Sequence, residues 1–394
     1  MTSVSASFPE PERTLLLQCV RPGADEAAQR IRALAGSDLD WEYLQALAVE
    51  HGVVPLLNLR LHDVAGDVVP PERLRRLHEL SKSSIFLNLS FAAELFRVLE
   101  IFHAAGIPAV PYKGPVLAAQ AYGDPALRVF SDLDLILRHR DAARACALLV
   151  ERGFQSEIPL AAISSGKVPG QFLFAREGSR TILELHTEQT LRYFPRRLNL
   201  EEMLQRLESV PMGGREVLTF SAEDALSLLC VHGSKHFWER LMWIADIAAL
   251  VQRPGGMNWP RALAQARFLG VLRMVHMGLL LAEDLLEASL PEDVKPQVRA
   301  DRVAKALAVQ VRARYFAKDR STLGIFERMS FRIRMRGGFV PGALYVLRLT
   351  VAPTEEDWAG APQRGPLALL QSVLRPLRLA RKYGLGRKRA GNLD

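Results

Sequence analysis

Two acids, Asp132 and Asp134, stand two positions apart in the apolar stretch FSDLDLIL that runs from Phe130 to Leu137. In an extended chain the side chains alternate between faces, so Leu133, Leu135 and Leu137 point one way and the two carboxylates the other. Carboxylates on one face repel each other, and if buried without compensation one of them takes up a proton. A divalent cation removes that conflict, because Mg²⁺ takes oxygen ligands and commonly engages one or two carboxylates together with substrate phosphates. The pattern therefore points to a metal cradle, with the solvent face of an ordinary strand as the plainer reading.

Two further stretches strengthen the first reading. In YKGP, Lys113 and Gly114 fall between an expected strand and an expected helix. Glycine lets the backbone approach a phosphate closely, the helix N-terminus that follows presents free N–H groups, and Lys113 adds a mobile charge. In TILELHTE, Glu184 and His186 alternate with Leu183 and Leu185, which puts another carboxylate on one strand face. If that strand lies beside the first, three carboxylates converge, and such a site can hold two metals, one activating the attacking oxygen and one neutralising a leaving pyrophosphate. Arg128 precedes the acidic strand closely enough to reach a phosphate or to offset the acids. His186 is placed to orient a metal-bound water or the substrate. Farther on, VHGSKHFWERLMWIADI puts His232, His236, Glu239 or Arg240, Trp243, and Asp246 or Ile247 on one helical stripe, and Lys235 and His236 are candidates for touching phosphate or acceptor. Zinc is set aside there, because HGSKH lacks the glutamate that follows the first histidine of zincins.

The elements that must position these residues can be read from periodicity. The first hundred residues are helical in pattern, with Asp40 placed to cap DWEYLQALAVEHGVVPLLNLRL and a long amphipathic helix from about Pro71 to Gly106. From Ile107 the expected order is β-α-β-α-β-β: IPAVPY, VLAAQAYG, DLDLIL, RDAARACALLVERG, QFLFARE and RTILELHTE, the last two joined by a Gly178-Ser179 turn. Strands alternating with helices mark an α/β unit. Beyond Leu198 the pattern is helical again, and one continuous helix is expected over SAEDALSLLCVHGSKHFWERLMWIADIAALVQR, with Ser221 and Asp224 forming a capping-box-like start. The expected division is a helical region at 1–106, a core at 107–198, a helical subdomain at 199–320 and a basic region at 321–394.

The bulk numbers bound the answer. A chain of 394 residues exceeds what one compact core usually serves, and 49% hydrophobic with 24% charged residues describes a folded protein. Cys19, Cys146 and Cys230 are far apart and form no CxxC pair, which reads as buried thiols of a reducing compartment. No charged leader followed by an apolar run opens the chain, and no stretch nears eighteen uninterrupted apolar residues, so the expectation is a soluble cytoplasmic protein without a membrane partner. The net charge of +8 is uneven: residues 301–394 carry nineteen Lys/Arg against seven Asp/Glu, leaving the remainder at −4. A basic tail suits phosphates, nucleic acid or an acidic partner. No RNP-like or KH-like pattern supports RNA recognition, so nucleic acid is not favoured. The acidic segment APTEEDW, Ala352 to Trp358, interrupts the tail and is placed either to fold back toward the site or to lie in solvent.

Lys-Gly at a strand-helix turn, Asp-Leu-Asp on a strand and Leu-Glu-Leu-His on a later strand resemble the nucleotidyltransferase fold of the DNA polymerase β superfamily. The pattern is most similar to a bacterial family of uncharacterised nucleotidyltransferases, and the similarity runs from WEYLQALAVEHGVVPLL to SVLRPLRLARKYG. The resemblance implies an α+β or α/β fold: a small mixed-sheet core flanked by N-terminal and C-terminal helical subdomains. It implies that Asp132, Asp134 and Glu184 bind Mg²⁺, with Mn²⁺ as an alternative, and that Lys113 and Gly114 lie under a nucleoside triphosphate, ATP before the others. The implied reaction moves NMP to an acceptor, either a small molecule, a peptide or a protein, and releases pyrophosphate. The alternatives are a catalytically inactive nucleotide-sensing or partner-binding protein of the same fold, or an RNA-modifying or RNA-binding protein. Three features depart from the wider superfamily: the gap from Gly114 to Asp132 is longer than in most branches, Pro115 follows Lys-Gly where a serine is usual, and the third acid is a glutamate.

Overall fold

The computed structural model describes residues 10–23, 27–165, 168, 170–179, 181–188, 194–315 and 323–351. The N-terminal third is helical: α1 (Pro11–Val20), α2 (Ala28–Ala35), α3 (Trp41–His51), α4 (Val54–Ala65) and the 34-residue α5 (Pro71–Ala104). Asp40 caps α3 as expected, its carboxylate accepting from the Tyr43 N–H at 2.9 Å. The stretch read as one helix from Asp40 breaks at Gly52, so α3 and α4 are separate elements.

A five-stranded mixed sheet follows. It comprises β1 (Ala109–Pro111), β2 (Asp132–Leu137), β3 (Phe154–Gln155), β4 (Gln171–Arg176) and β5 (Ile182–Thr187), in the order β1-β2-β5-β4-β3. The connections carry α6 (Pro115–Tyr122), α7 (Ala142–Glu151) and the short α8 (Leu160–Ser164). β3 and α8 lie between α7 and β4, where the expected order has no element. Only the β2–β5 pair is parallel. Alternation divides β2 between two cores. Leu133, Leu135 and Leu137 pack with Leu183, Leu185, Phe172 and Phe174 against Phe91, Leu95 and Phe102 of α5. Ile136 on the other face joins Val110 and Tyr112 in the helical core. Leu135 and Leu185 are fully buried, and truncating either to alanine is expected to cost about 2–5 kcal/mol.

After α9 (Leu200–Leu204) comes an element that the helical reading of this region missed, the hairpin β6 (Glu208–Met212) and β7 (Arg215–Thr219). Its turn is Gly213-Gly214, both at positive φ (59° and 76°), the conformation that a two-residue hairpin turn demands. Val210, Met212 and Val217 enter the core beneath the sheet, and the Thr219 hydroxyl donates to the Pro111 carbonyl at 2.7 Å. The packing unit of the sheet therefore runs past residue 198.

The expected continuous helix after Ser221 is two helices, α10 (Ala222–Lys235) and α11 (Leu241–Gln252). Between them Phe237 and Trp238 take left-handed φ values of 56° and 55°. Ser221 makes no side-chain bond to the helix backbone; its hydroxyl donates to Asp224, whose carboxylate also receives the Arg206 guanidinium at 2.7 and 2.8 Å. The acid drawn into an ion pair is thus lost to the capping box. Helices α12 (Trp259–Leu269), α13 (Leu272–Leu286), α14 (Lys295–Ala300), α15 (Arg302–Tyr315), α16 (Ile325–Met335) and α17 (Phe339–Val351) complete the described chain. Among the described residues no helix is long and apolar enough to cross a membrane. The three cysteines are free and buried. The segment from Ala352 to Trp358 lies outside the described residues.

Candidate functional site

The parallel register of β2 and β5 sets Asp134 opposite Glu184 and Ile136 opposite His186. Positions opposite in register share a face, so the acids of the two strands meet, as the alternation requires. His186 Nε2 lies 2.9 Å from Asp134 Oδ1 and 3.3 Å from Glu184 Oε2. Lys113 Nζ reaches the same Asp134 oxygen at 2.8 Å. The Tyr112 hydroxyl donates to it at 3.5 Å, and Gln171 Nε2 donates to Glu184 at 3.0 Å. Asp134 is 1% exposed and Lys113 8%, so the lysine expected as a mobile charge is here a buried partner.

Gly114 holds this lysine beside the acids. Its φ of 63° and ψ of −136° lie outside the range of other residues, and a Cβ there would sit 3.3 Å from the Asp132 carbonyl oxygen. The chain passes from β1 through Tyr112, Lys113 and Gly114 directly into α6, whose first turn opens beside β2.

Burial and charge sort the three carboxylates into different states. Asp132 is pushed up to about 6, by burial first and then by the charge of Asp134. Burial also opposes ionisation of Asp134, but Lys113 and His186 overcome it and hold that carboxyl well below the usual range. Glu184 is likewise lowered against its burial by the hydrogen bond from His186. For His186, burial disfavours the imidazolium, and the bonds to Asp134 and Glu184 more than restore it, raising its pKa. Two buried atoms, Asp134 Oδ2 and His186 Nδ1, have no hydrogen-bond partner among the described residues. One donor atom from each of Asp134, Glu184 and His186 fits within 4.8 Å of the others, an arrangement able to hold a metal ion. That close group has His186 where the sequence reading put Asp132, which stands on the same strand face just outside it.

Arg128 is placed differently from the expectation of a phosphate contact. Its Nε donates to both oxygens of Asp246, at 3.0 and 3.1 Å, and the Tyr122 hydroxyl completes that carboxylate at 3.0 Å. Arg128 is 4% exposed and Asp246 1%. The guanidinium is spent on a buried structural pair and reaches Asp132 only through its charge. Lys235 ends α10 and His236 is its C-cap; the His236 ring lies 4.8 Å from His232 and 5.3 Å from Trp243. Tyr112 is the site residue that the sequence reading missed. Its signal was position: it immediately precedes the Lys-Gly pair at the end of β1, and its ring stands edge-on to His186 at 5.7 Å.

Comparison with known proteins adds the following. A family model described as an uncharacterised nucleotidyltransferase matches residues 37–287. Among solved structures, ANT(2'')-Ia in complex with adenylyl-2''-tobramycin is 13% identical at a TM-score of 0.28, over 57% of this chain and 99% of that one. A solution structure of the antibiotic-resistance factor ANT(2'')-Ia gives 12% identity and a TM-score of 0.29, over 57% and 98%. An antigenic nucleotidyltransferase-like protein from Paracoccidioides brasiliensis is 18% identical at a TM-score of 0.29, over 54% and 94%. No curated protein matches the sequence.

Proposed function

Since the chain belongs to the family of uncharacterised nucleotidyltransferases, we propose that it transfers a nucleoside monophosphate from an NTP, ATP before the others, to an acceptor and releases pyrophosphate. The observation that carries this reading is the parallel register that brings Asp134 and Glu184 together beside Lys113 and Gly114. The orphaned Asp134 Oδ2 and the clustered donors of Asp134, Glu184 and His186 suit a divalent cation. Asp132, Asp134 and Glu184 would hold it, Mg²⁺ or Mn²⁺, with His186 in contact. Bound there, the ion would supply charge neutralisation at the transferred phosphoryl group and lower the pKa of an attacking hydroxyl.

The remaining work falls to the chain's own groups. Gly114 gives the triphosphate close access to backbone, and the start of α6 directs N–H groups at it. Lys113, already held at 2.8 Å from Asp134, would share its charge with the phosphates. Glu184, kept ionised by His186, is placed to accept the acceptor's proton. Lys235 and His236 would border the bound nucleotide from the end of α10. Arg128 contributes by rigidity, fixing the segment that leads into β2 onto Asp246. Phosphoryl transfer needs positioning and charge stabilisation more than covalent help, and this inventory supplies both.

The test is thermal stability of the whole chain with each of the four NTPs, with and without Mg²⁺ or Mn²⁺, on wild type and on Asp132→Asn/Asp134→Asn. A ligand present at a hundred times its Kd stabilises the native state by about 2.7 kcal/mol. A metal-dependent rise for at least one nucleotide, lost in the double variant, is the expected result. Folded protein with no rise for any nucleotide would leave a binding or scaffold role instead.

A further inference from the structure

The break between α10 and α11 assembles three aromatic rings that nothing in the acid cluster accounts for. His232 and His236, a helical turn apart, lie 4.8 Å from each other, and Trp243 stands 5.3 Å from both. In an uninterrupted helix Trp243 would be two turns beyond His236 and could not touch His232. The left-handed residues Phe237 and Trp238 fold the chain back and bring it within reach. The bend is built in firmly. Trp238 is fully buried, its ring lies over Gly233 where a Cβ would come within 2.6 Å, its backbone N–H donates to the Gly233 carbonyl at 2.8 Å, and its carbonyl accepts from the Tyr315 hydroxyl.

All three residues are half-buried. They are also uncharged. Desolvation, with Lys113 next, drives His232 well below the ordinary histidine range, and desolvation with Lys235 and Lys113 brings His236 down to about 4. Lys113 acts on both imidazoles, with Asp134 acting on His232 and Glu184 on His236, so the rings neighbour the acid cluster. Lys235, Lys113 and Arg240 are the cations that act on His236, with Glu184 acting against them. Uncharged aromatic rings of this kind suit a flat neutral ring, such as the base of a nucleotide.

Resting on the nucleotidyltransferase reading, we infer that His232, His236 and Trp243 form the platform on which the base of the donor nucleotide stacks while its phosphates lie at Lys113 and Gly114. Stacking of a base on an aromatic side chain is tolerant of base identity, because every base has a π-face. Trp243 supplies the largest surface; stacking alone discriminates weakly among the four bases, so a preference for ATP must come from contacts at the edge of the base.

Calorimetric titration of the full chain with Mg²⁺-ATP and with Mg²⁺-tripolyphosphate, which has phosphates and no base, separates the two ideas. Trp243→Ala should bind ATP about ten-fold more weakly, with tripolyphosphate affinity unchanged, His236→Ala should lose less, and Trp243→Phe should retain most of the affinity. Equal losses for both ligands, or none for ATP in folded Trp243→Ala and His236→Ala, would overturn the platform and leave the transferase reading standing. Failure of the folded wild type to bind either ligand would remove that reading and the platform with it.

Discussion

Two buried charge clusters lie close together in this molecule and satisfy themselves to different degrees. Around Asp246, both carboxylate oxygens are taken by Arg128, and Tyr122 adds a third bond. Opposite charges are matched one to one, and neither Arg128 nor Asp246 has a buried polar atom left over among the described residues. Around Asp134, three carboxylates face Lys113 and His186, Asp134 Oδ2 and His186 Nδ1 are unpartnered, and Asp132 holds its proton up to a pH of about 6. The first cluster is complete and reads as architecture. The second leaves an acceptor of Asp134 unmet in a place where an unmet buried acceptor costs about 1–3 kcal/mol, which suits the cation proposed for it.

The comparison breaks most visibly under mutation. Asp246→Ala leaves the Arg128 guanidinium buried and uncompensated, and is expected to lower stability by about 3–5 kcal/mol, read from urea unfolding. Arg128→Met/Asp246→Leu should recover most of that loss, because an apolar pair of similar volume removes both charges. If the single variant proved as stable as wild type, the pair would not be the closed structural unit described here. Asp134→Asn should behave in the opposite manner. Lys113 and His186 keep Asp132 and Glu184 as counter-charges, so the stability loss should be smaller than for Asp246→Ala. Nucleotidyl transfer, followed by pyrophosphate release, should fall about 10²–10³-fold, the scale for removing one group that stabilises transition-state charge. Retention of transfer in Asp134→Asn would move the reaction away from this cluster.

How much of this was legible in the sequence differs between the two clusters for a physical reason. Asp132, Asp134, Glu184 and Lys113-Gly114 could be read because strand alternation fixes a face and the glycine turn fixes an approach, both of which are local. The one non-local step, that β5 lies beside β2, was a condition, and the structure meets it with a parallel pairing. The Arg128–Asp246 pair could not be read, because its members are 118 positions apart and only the packing of α11 joins them. His186 was legible in its face and not in its centrality, which depends on the in-register contact with Asp134. The β6–β7 hairpin was legible and missed: Glu208 to Thr219 alternates around a Gly-Gly pair, the usual hairpin signal, in a region otherwise helical in pattern. The bend at Phe237 and Trp238 gave no warning, since HFWERL reads as helix until Trp238 is known to pack over Gly233.

The smallest expected effect is also the finest test of the difference between the clusters, because it depends on Asp132 alone. Its carboxyl ionises near 3.8 in an ordinary setting and at about 6 in the fold. Below the lower value it is neutral in folded and unfolded chains alike, so wild type and Asp132→Asn should be about equally stable. As pH rises through the window between these values, the unfolded chain releases the proton first and gains stability relative to the fold. Wild type should therefore fall behind Asp132→Asn from about pH 4, by of the order of 1–2 kcal/mol after allowance for partial exposure, with the gap constant above about pH 6. Lowered groups such as Asp134 act in the reverse direction, favouring the fold above the unfolded value and ceasing to do so as pH falls, but they are common to both proteins and cancel in the difference. Saturating Mg²⁺ should close the gap at pH 7, because an ion at the acid face replaces the proton as the partner of Asp132. A gap that stays open with Mg²⁺ would mean that the surplus charge of this cluster is not a cation site, and the contrast with the Asp246 pair would lose its functional meaning.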